Sequence, residues 1–196
     1  HRWNTLCRDN IVEHKITVVL GCGSSGKTHN AAWLFLCEYY CFPEITCVLV
    51  SSTDMRGLQL RVFGEIKGLH EKALERFPYL PGNLVESKLA ICTDNVEEDK
   101  ARDMRKGIIG IPCIQNGKYV GLGKYAGVKQ KKMRLIADEA QFMSSHFLSA
   151  FAKSLNASLS TAGATATTFG NDPAEGRAFS KFKSNVPTEW ARQCKW

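Results

Sequence analysis

An eight-residue stretch near the N-terminus combines the residue types that hold a polyphosphate. It fits the pattern G-x-x-x-x-G-K-[ST] and consists of Gly21, Cys22, Gly23, Ser24, Ser25, Gly26, Lys27 and Thr28. Glycines let the backbone turn its N–H groups towards phosphate oxygens, the lysine ammonium reaches the terminal phosphates, and the threonine hydroxyl can ligate Mg²⁺. We therefore predict a P-loop whose eight residues bind a nucleotide, with Lys27 also acting in catalysis and Thr28 on the metal.

The residues on either side of this stretch predict the elements that a P-loop connects. Ile16 to Leu20 is a short β-branched run and predicts a strand, whereas Ala31 to Tyr40 is apolar nearly all round and predicts a helix buried against a sheet. A helix that starts after the glycines directs the positive end of its dipole at the bound anion. The alternative interpretation is a flexible Gly-Ser loop between two elements.

A pair of adjacent carboxylates follows another apolar run. Leu135 to Ala137 predicts a buried strand, and Asp138 and Glu139 come directly after it. An aspartate at the end of such a strand can hold Mg²⁺, and the glutamate beside it can deprotonate a water molecule for attack on the terminal phosphate. We predict Asp138 as a metal ligand and Glu139 as the catalytic base; the alternative is that Asp-Glu only caps the next helix.

A third candidate, Asn171, lies just after the strand predicted at Ala164 to Phe169. Its side-chain amide is suited to sensing the terminal phosphate of a bound nucleotide, so we predict it as a nucleotide-binding residue. The alternative is that the Gly-Asn-Asp-Pro run at this point only forms a turn, because these residue types favour turns.

The remaining periodicities complete an α/β pattern. Ile45 to Val50 predicts a second buried strand, Leu89 to Thr93 a third short strand, and Ser144 to Asn156 a helix. Apolar residues at three- and four-residue spacing predict a long amphipathic helix with Met55, Leu58, Val62, Ile66, Leu69, Ala73 and Phe77. Residues 1–15 are polar and mixed. They are interpreted as a surface lead-in or, alternatively, as contacts to a nucleotide base through Arg2, Trp3 and Arg8.

Composition indicates one intracellular globular domain over residues 1–196. Hydrophobic residues make up 44% and charged residues 23%, which are ordinary values for a globular domain, and no low-complexity linker divides the chain. The eight cysteines form no C-x-x-C pair, which argues against a zinc site and favours a reducing compartment. The apolar runs are far too short to cross a membrane, so we expect no membrane association.

The positive charge is concentrated in one segment. The chain has a net charge of +7, yet residues 104–137 contain no Asp or Glu and hold Arg105, Lys106, Lys118, Lys124, Lys129, Lys131, Lys132 and Arg134. Within the segment, Gly-Lys-Tyr occurs at residues 117–119 and again at 123–125, which predicts two β segments around a turn. The segment is interpreted as contacting a nucleic-acid backbone or a neighbouring subunit's phosphates; the alternative is an ordinary basic surface hairpin.

These motifs together resemble the large terminase subunit of tailed double-stranded DNA phages. That family has a P-loop, a hydrophobic strand ending in Asp-Glu-Ala-Gln, and a later coupling motif of the Thr-Gly-Asn kind. This chain has the P-loop at residues 21–28, Asp-Glu-Ala-Gln at residues 138–141, and Thr-Phe-Gly-Asn at residues 168–171. The resemblance implies an ATPase motor that uses ATP and Mg²⁺ to drive double-stranded DNA into a preformed capsid.

The resemblance also implies partners and a setting. It implies a homo-oligomeric ring, a small terminase subunit, a portal and procapsid, and the cytoplasm of the host cell. The family's nuclease domain carries a metal-binding carboxylate cluster, and nothing after Asn171 supplies one. We therefore expect this chain to be the ATPase domain alone.

One feature of the family has no clear counterpart. Members commonly use an arginine finger, in some cases from a neighbouring subunit and from the segment just before the Asp-Glu strand. Here no arginine lies between Lys106 and Met133, so Lys124 is the nearest candidate and is predicted as a catalytic residue. A lysine lacks the bidentate fork of arginine, which puts the identity of the finger in question. No arginine is placed by a motif to act within the same chain.

The sequence thus predicts an α/β P-loop NTPase of the ASCE type, the class with an additional strand and a catalytic glutamate, with a mainly parallel sheet flanked by helices. The predicted function is ATP hydrolysis coupled to translocation of double-stranded DNA. One alternative is another DNA-dependent P-loop ATPase, such as a helicase or repair enzyme. A second alternative is an assembly module that binds nucleotide without hydrolysing it.

Overall fold

The computed structural model describes residues 2–13, 16–21, 26–93, 106–115, 118–119, 130–140, 143 and 165–171. The helices there are α1 (Arg2–Glu13), α2 (Lys27–Cys41), α3 (Met55–Gly57) and α4 (Phe63–Arg76), with a π-helical turn at Leu58–Val62, called the π turn below, and a 3₁₀ turn at Glu86–Lys88. The strands there are β1 (Ile16–Gly21), β2 (Thr46–Asp54), β3 (Asn83–Val85), β4 (Ala90–Cys92), β5 (Gly107–Gln115), β6 (Lys118–Tyr119), β7 (Lys132–Asp138) and β8 (Thr165–Asn171).

The described strands form one mainly parallel sheet. Neighbouring strands in the order β1-β8-β7-β2-β5 all pair in parallel, and β4 and β3 extend the sheet beyond β5 in antiparallel fashion. Parallel strands are buried on both faces and need continuous apolar runs. Residues 47–50 of β2 satisfy this requirement, since none is more than 2% exposed. The predicted α/β class with a mainly parallel sheet is confirmed.

Strand β8 lies between the P-loop strand β1 and the carboxylate strand β7. Its register sets Asn171 opposite Gly21 on one side and Phe169 opposite Asp138 on the other. This is the additional strand of the predicted class. The strand reaches Asn171 itself, whereas the sequence pattern predicted an end at Phe169.

Two strands are longer than the sequence predicted. Strand β2 continues through Ser51 and Ser52 to Asp54, because both serines are buried and the Ser51 hydroxyl donates a 2.7 Å hydrogen bond to the carbonyl of Ile111. Strand β7 begins at Lys132 rather than at Leu135. In both cases polar residues lie in a strand with a neighbouring strand on each side, and hydrogen bonds to these neighbours pair its backbone N–H and C=O groups.

The predicted amphipathic helix is confirmed, but it is not uniform. It runs from α3 through the π turn into α4, and the residues that it buries are Leu58, Val62, Phe63, Ile66 and His70. Asp54 caps the start, since its carboxylate accepts a 2.8 Å hydrogen bond from the Gly57 N–H. The helix ends at Arg76, so Phe77, predicted on the apolar face, is 44% exposed.

One helix was missed, and one predicted helix lies outside the described residues. Residues 1–15 were interpreted as a lead-in, yet Arg2–Glu13 is helix α1. Helix α1 contacts the core mainly through Ile11, which packs with residues of α2. Because few of its residues are buried, its sequence shows no apolar periodicity. The helix predicted at Ser144 to Asn156 is not among the described residues.

A cluster of charges fastens α2 to β7. The Nε and Nη2 atoms of Arg134 on β7 donate 2.6 Å hydrogen bonds to the two carboxylate oxygens of Glu38 on α2, and the Lys132 ammonium lies 3.0 Å from the same carboxylate. Burial acts to raise the pKa of Glu38, but the hydrogen bonds and charges of Arg134 and Lys132 outweigh it and lower the pKa. The cluster joins the helix that follows the P-loop to the strand that ends in Asp138.

Removing one partner of this cluster tests its contribution to stability. We expect Arg134→Met to lower the free energy of unfolding at pH 7 by roughly 3 kcal/mol, because it leaves the Glu38 charge buried with only Lys132 beside it. Because the Glu38 pKa is lowered in the folded chain, this contribution is present above the usual value of 4.5 and is lost as pH falls through the folded pKa. Urea unfolding at pH 7 and pH 3.5 measures both effects. The exposed Arg76→Met is the control, and an equal loss in the two variants would contradict the prediction.

Candidate active site

Helix α2 begins directly after the last glycine of the predicted P-loop. Gly26 precedes the helix with a left-handed φ of 78°, which residues with a side chain rarely adopt, and its carbonyl accepts the Asn30 N–H at 2.9 Å. Lys27 and Thr28 form the first turn of α2 and are half-buried. The two residues predicted to bind phosphate and metal therefore lie at the positive end of the helix dipole.

Thr28 and Asp138 meet although 110 residues separate them. The Thr28 hydroxyl donates a long hydrogen bond of 3.5 Å to an oxygen of Asp138, which is the last residue of β7 and is 5% exposed. Hydroxyl and carboxylate oxygens are the ligand types that Mg²⁺ prefers. Both predicted metal ligands therefore lie at one point of the structure.

The electrostatics of Asp138 also fit a cation. Burial raises the pKa of its carboxyl group to about 6; the Arg61 charge, the Thr28 hydroxyl and the Lys27 charge act to lower the pKa, and the Glu139 charge acts to raise it. A group whose charged form is disfavoured by burial gains most from a divalent cation at its oxygens. Thr28 and Asp138 would hold Mg²⁺ there.

Glu139 occupies a strained position directly after the strand. Its φ of 56° lies in the left-handed region, which is uncommon for residues other than glycine, and its side chain is only 13% exposed. Strained backbone of this kind is concentrated at functional sites. The turn places the Glu139 carboxylate beside that of Asp138 without continuing the strand. Asp138 accepts its described hydrogen bond from Thr28, which favours the metal-ligand interpretation over that of a helix cap.

Arg61 is a site residue that the sequence analysis missed. It lies in the π turn, with its Nη1 atom 3.7 Å from a Glu139 oxygen and its Nε atom 3.9 Å from an Asp138 oxygen. Its Nη2 atom donates a 3.2 Å hydrogen bond to the Ser52 hydroxyl. No local motif marks Arg61. The signal that was available is topological, because a helix that follows a parallel strand starts at the carboxyl edge where the other strands end.

The remaining predicted site residues are only partly described. The backbones of Gly21 and Asn171 pair across β1 and β8, so these two strand ends do lie together. Residues Cys22, Gly23, Ser24, Ser25 and Lys124 lie outside the described residues, as does the side chain of Asn171. The roles assigned to them remain predictions.

Helix α1 places one of the predicted base contacts near the P-loop helix. Arg8 lines a cavity between α1 and α2, together with Asn4, Asn30 and Trp33. Arg8 pairs with Asp9 at 2.8 Å, and Asn30 donates a 2.9 Å hydrogen bond to Asn4. The contact to a nucleotide base remains a prediction for Arg8, and the described residues do not include the side chains of Arg2 and Trp3.

The basic segment is less uniform than its sequence suggested. Lys106 pairs with Glu44 at 2.8 Å, and Lys132 and Arg134 belong to the Glu38 cluster, so three of the eight cations have carboxylate partners within the chain. The first Gly-Lys-Tyr unit contributes β6, which pairs with β5; the second unit lies outside the described residues. Lys131 is exposed. Any polyanion-binding surface therefore depends on fewer cations than eight.

The fold has solved counterparts. The chain is similar to the large terminase ATPase domain of Thermus phage P74-26, with 16% identity and a TM-score of 0.57, covering 89% of this chain and 67% of that chain. An arginine variant of the same domain gives the same identity and TM-score, with 86% of this chain and 64% of that chain covered. No protein-family model and no curated protein matches the chain. At this identity the likeness shows the fold alone, and it confirms the fold that the motifs implied.

In the part of the chain that the structure describes, no helix is both long enough and apolar enough to span a membrane.

The raised pKa of Asp138 predicts that its charge destabilises the metal-free fold. The folded pKa of about 6 exceeds the usual 3.8, so the folded chain binds a proton more tightly and stability falls as pH rises between these two values. We expect Asp138→Asn to raise the free energy of unfolding at pH 8 by roughly 2–3 kcal/mol, with little change at pH 4. Urea unfolding with a chelator present measures this. Asp9→Asn is the control at a more exposed carboxylate, and an equal gain at both pH values would contradict the prediction.

Proposed function

We propose that this chain is the ATPase domain of a DNA-packaging motor, which hydrolyses ATP with Mg²⁺ and drives double-stranded DNA into a viral procapsid. The observation that supports it most is the meeting of Thr28, Asp138 and Glu139 at the carboxyl edge of a parallel sheet. The likeness to a large terminase ATPase domain supports the specific role, because it concerns the same fold and nearly the whole of this chain.

Each residue of the site has a distinct task in this proposal. The P-loop backbone and Lys27 bind the phosphates and hold the terminal one in line for attack. Glu139 accepts a proton from the attacking water as the general base. Thr28 and Asp138 hold the metal. Bound Mg²⁺ supplies positive charge against the phosphate oxygens. Asn171 contacts the terminal phosphate from the end of β8.

The arrangement of the two carboxylates favours hydrolysis over the alternative of a silent assembly module. A protein that only binds nucleotide needs the P-loop and a metal ligand, but it has no need of a second carboxylate beside the first. Here Glu139 is held in a strained conformation next to Asp138, at a cost in free energy that binding alone would not require. A helicase or repair ATPase needs the same site, so the site cannot distinguish it from a packaging motor. The form of DNA that the chain prefers, single-stranded or double-stranded, distinguishes the two.

We also propose that the motor works as a ring of identical subunits with a small terminase subunit and a portal, in the cytoplasm of the host cell. In such a ring, Lys124 of a neighbouring subunit supplies the cation that offsets charge on the transferred phosphoryl group. A cation of this kind increases the rate by roughly 10³–10⁵. Arg61, on the same chain, contacts the carboxylates rather than filling this role.

Two variants separate nucleotide binding from hydrolysis. We expect Lys27→Ala to lose Mg-ATP binding, and Glu139→Gln to bind Mg-ATP but to turn it over roughly 10²–10⁴ times more slowly, because it removes only the base. Calorimetric titration and phosphate release measure the two steps. Lys72→Ala, an exposed lysine on α4, serves as the control for a lost positive charge. Turnover at the wild-type rate in Glu139→Gln would remove Glu139 from the role of base.

The salt dependence of DNA binding tests the basic segment. We expect double-stranded DNA to bind weakly, and changing Lys118, Lys129 and Lys131 to Ala to reduce the log–log salt slope by about one for each lost phosphate contact. Fluorescence anisotropy with a labelled duplex over a range of salt concentrations measures the slope. The control triple variant changes the exposed Lys72, Arg76 and Lys88 to Ala. An equal slope in both triple variants would place the DNA surface elsewhere, and tighter binding to single strands would favour the helicase alternative.

A further inference from the structure

The helix after β2 contains a π turn at the point where it passes the carboxylates. The Phe63 N–H donates to the carbonyl of Leu58, five residues earlier, so the turn holds one residue more than an α-helical turn. Leu58 and Val62 are both fully buried at its two ends, and Arg61 lies between them on the side of the active site. A π turn is a poorly favoured geometry and occurs often at functional sites.

Two glycines flank the π turn, and at each of them a Cβ atom would clash with a neighbouring group. A Cβ atom on Gly57 would lie 2.4 Å from the Nη2 atom of Arg61, which is too close for the guanidinium to stay in place. A Cβ atom on Gly64 would lie 2.6 Å from the carbonyl oxygen of Gln59, which the π turn brings close. Neither glycine has a positive φ, so backbone conformation does not explain them.

A third glycine in the same helix provides the contrast. Gly68 lies further along α4, and a Cβ atom there would have nothing within 4 Å. Glycine in the middle of a helix is unfavourable relative to alanine, so a site that keeps it without need gains stability on substitution. Gly57 and Gly64 differ from Gly68 because an alanine at either one would displace Arg61 or the turn that carries it.

We propose that the π turn is a positioning device which fixes Arg61 as counter-ion to the Asp138–Glu139 pair, and that Gly57 and Gly64 make this placement possible. Arg61 is a positioning residue, since it contacts the carboxylates and orients Glu139. The effect of Arg61 on ATP turnover rests on the proposed function, whereas its effect on the charge of the Asp138–Glu139 pair does not.

The contacts of Arg61 suit this task. A guanidinium is planar and always charged, and its five N–H groups allow it to face two carboxylates and a hydroxyl at once. At 3.7 and 3.9 Å it attracts Glu139 and Asp138 without a short hydrogen bond to either, while the 3.2 Å bond to Ser52 anchors the far side of the group. It thereby offsets the repulsion between two adjacent carboxylates.

A double-mutant cycle tests whether Gly57 acts through Arg61. Partners that orient metal ligands or bases typically cost 10–100-fold when removed, so we expect Arg61→Gln and Gly57→Ala each to lower kcat by roughly that factor, with KM for ATP little changed. The double variant loses no more than Arg61→Gln alone, because the severe clash of a Cβ atom at position 57 is with the guanidinium, whereas the Ser52 hydroxyl lies further away at 3.2 Å. Gly68→Ala keeps the wild-type rate. If Gly64→Ala folds, we expect its kcat to be lowered as in Arg61→Gln. If it does not fold, the kcat of Gly57→Ala alone tests the inference.

Binding of Mn²⁺ in the absence of nucleotide gives a readout that does not involve hydrolysis. Removing or displacing the Arg61 charge leaves the carboxylates with more attraction for a cation, so Arg61→Gln and Gly57→Ala are expected to bind Mn²⁺ roughly three- to tenfold more tightly than wild type and Gly68→Ala. Electron paramagnetic resonance of free Mn²⁺ measures the affinity.

The two readouts separate failure of the inference from failure of the proposed function. If the wild-type chain does not hydrolyse ATP, the proposed function is wrong, and the Mn²⁺ comparison alone decides the inference. If Gly57→Ala behaves as Gly68→Ala in both assays, the inference is overturned. Independent, multiplying losses of kcat for Gly57→Ala and Arg61→Gln would also overturn it, because Gly57 would then act without Arg61.

Discussion

The parallel register of the central strands is the constraint on which the site depends. Because β1, β8, β7 and β2 run in the same direction, their carboxyl ends meet at one edge. The P-loop follows β1, Asp138 ends β7, Asn171 ends β8, and the helix after β2 carries Arg61 past the same edge. No single segment of the sequence contains the site; the sheet assembles it.

Several energetically unfavourable features lie together at this edge. Asp138 carries a carboxylate into a buried position, Glu139 adopts a left-handed backbone conformation, and the helix beside them contains a π turn. The core is formed largely by apolar strand residues, by α2 and by the apolar face of the amphipathic helix. Local strain that persists in a stable scaffold is typical of sites where geometry matters more than stability. At this edge, the two carboxylates that break local rules, Asp138 and Glu139, are those to which the proposed function assigns chemistry.

Much of the fold could be predicted from local patterns, and the parts that could not have physical explanations. The P-loop, the carboxylate strand and the amphipathic helix each have a short-range signature, and the structure places Thr28 against Asp138 as the motifs require. Helix α1 was missed because it contributes little to the core besides Ile11. The proximity of Arg61 to the carboxylates could not be predicted, because it depends on which side of the helix Arg61 lies and on which strands are neighbours in the sheet. The pairing of three cations of the basic segment could not be predicted, because their carboxylate partners, such as Glu38, lie far away in sequence.

The Glu38 cluster has a mechanical consequence. Arg134 and Lys132 join α2 to β7 through Glu38, so the helix that begins at Lys27 and the strand that ends in Asp138 are held together by short charged contacts. In the proposed motor, a movement of α2 during hydrolysis would therefore be transmitted to β7 through these contacts.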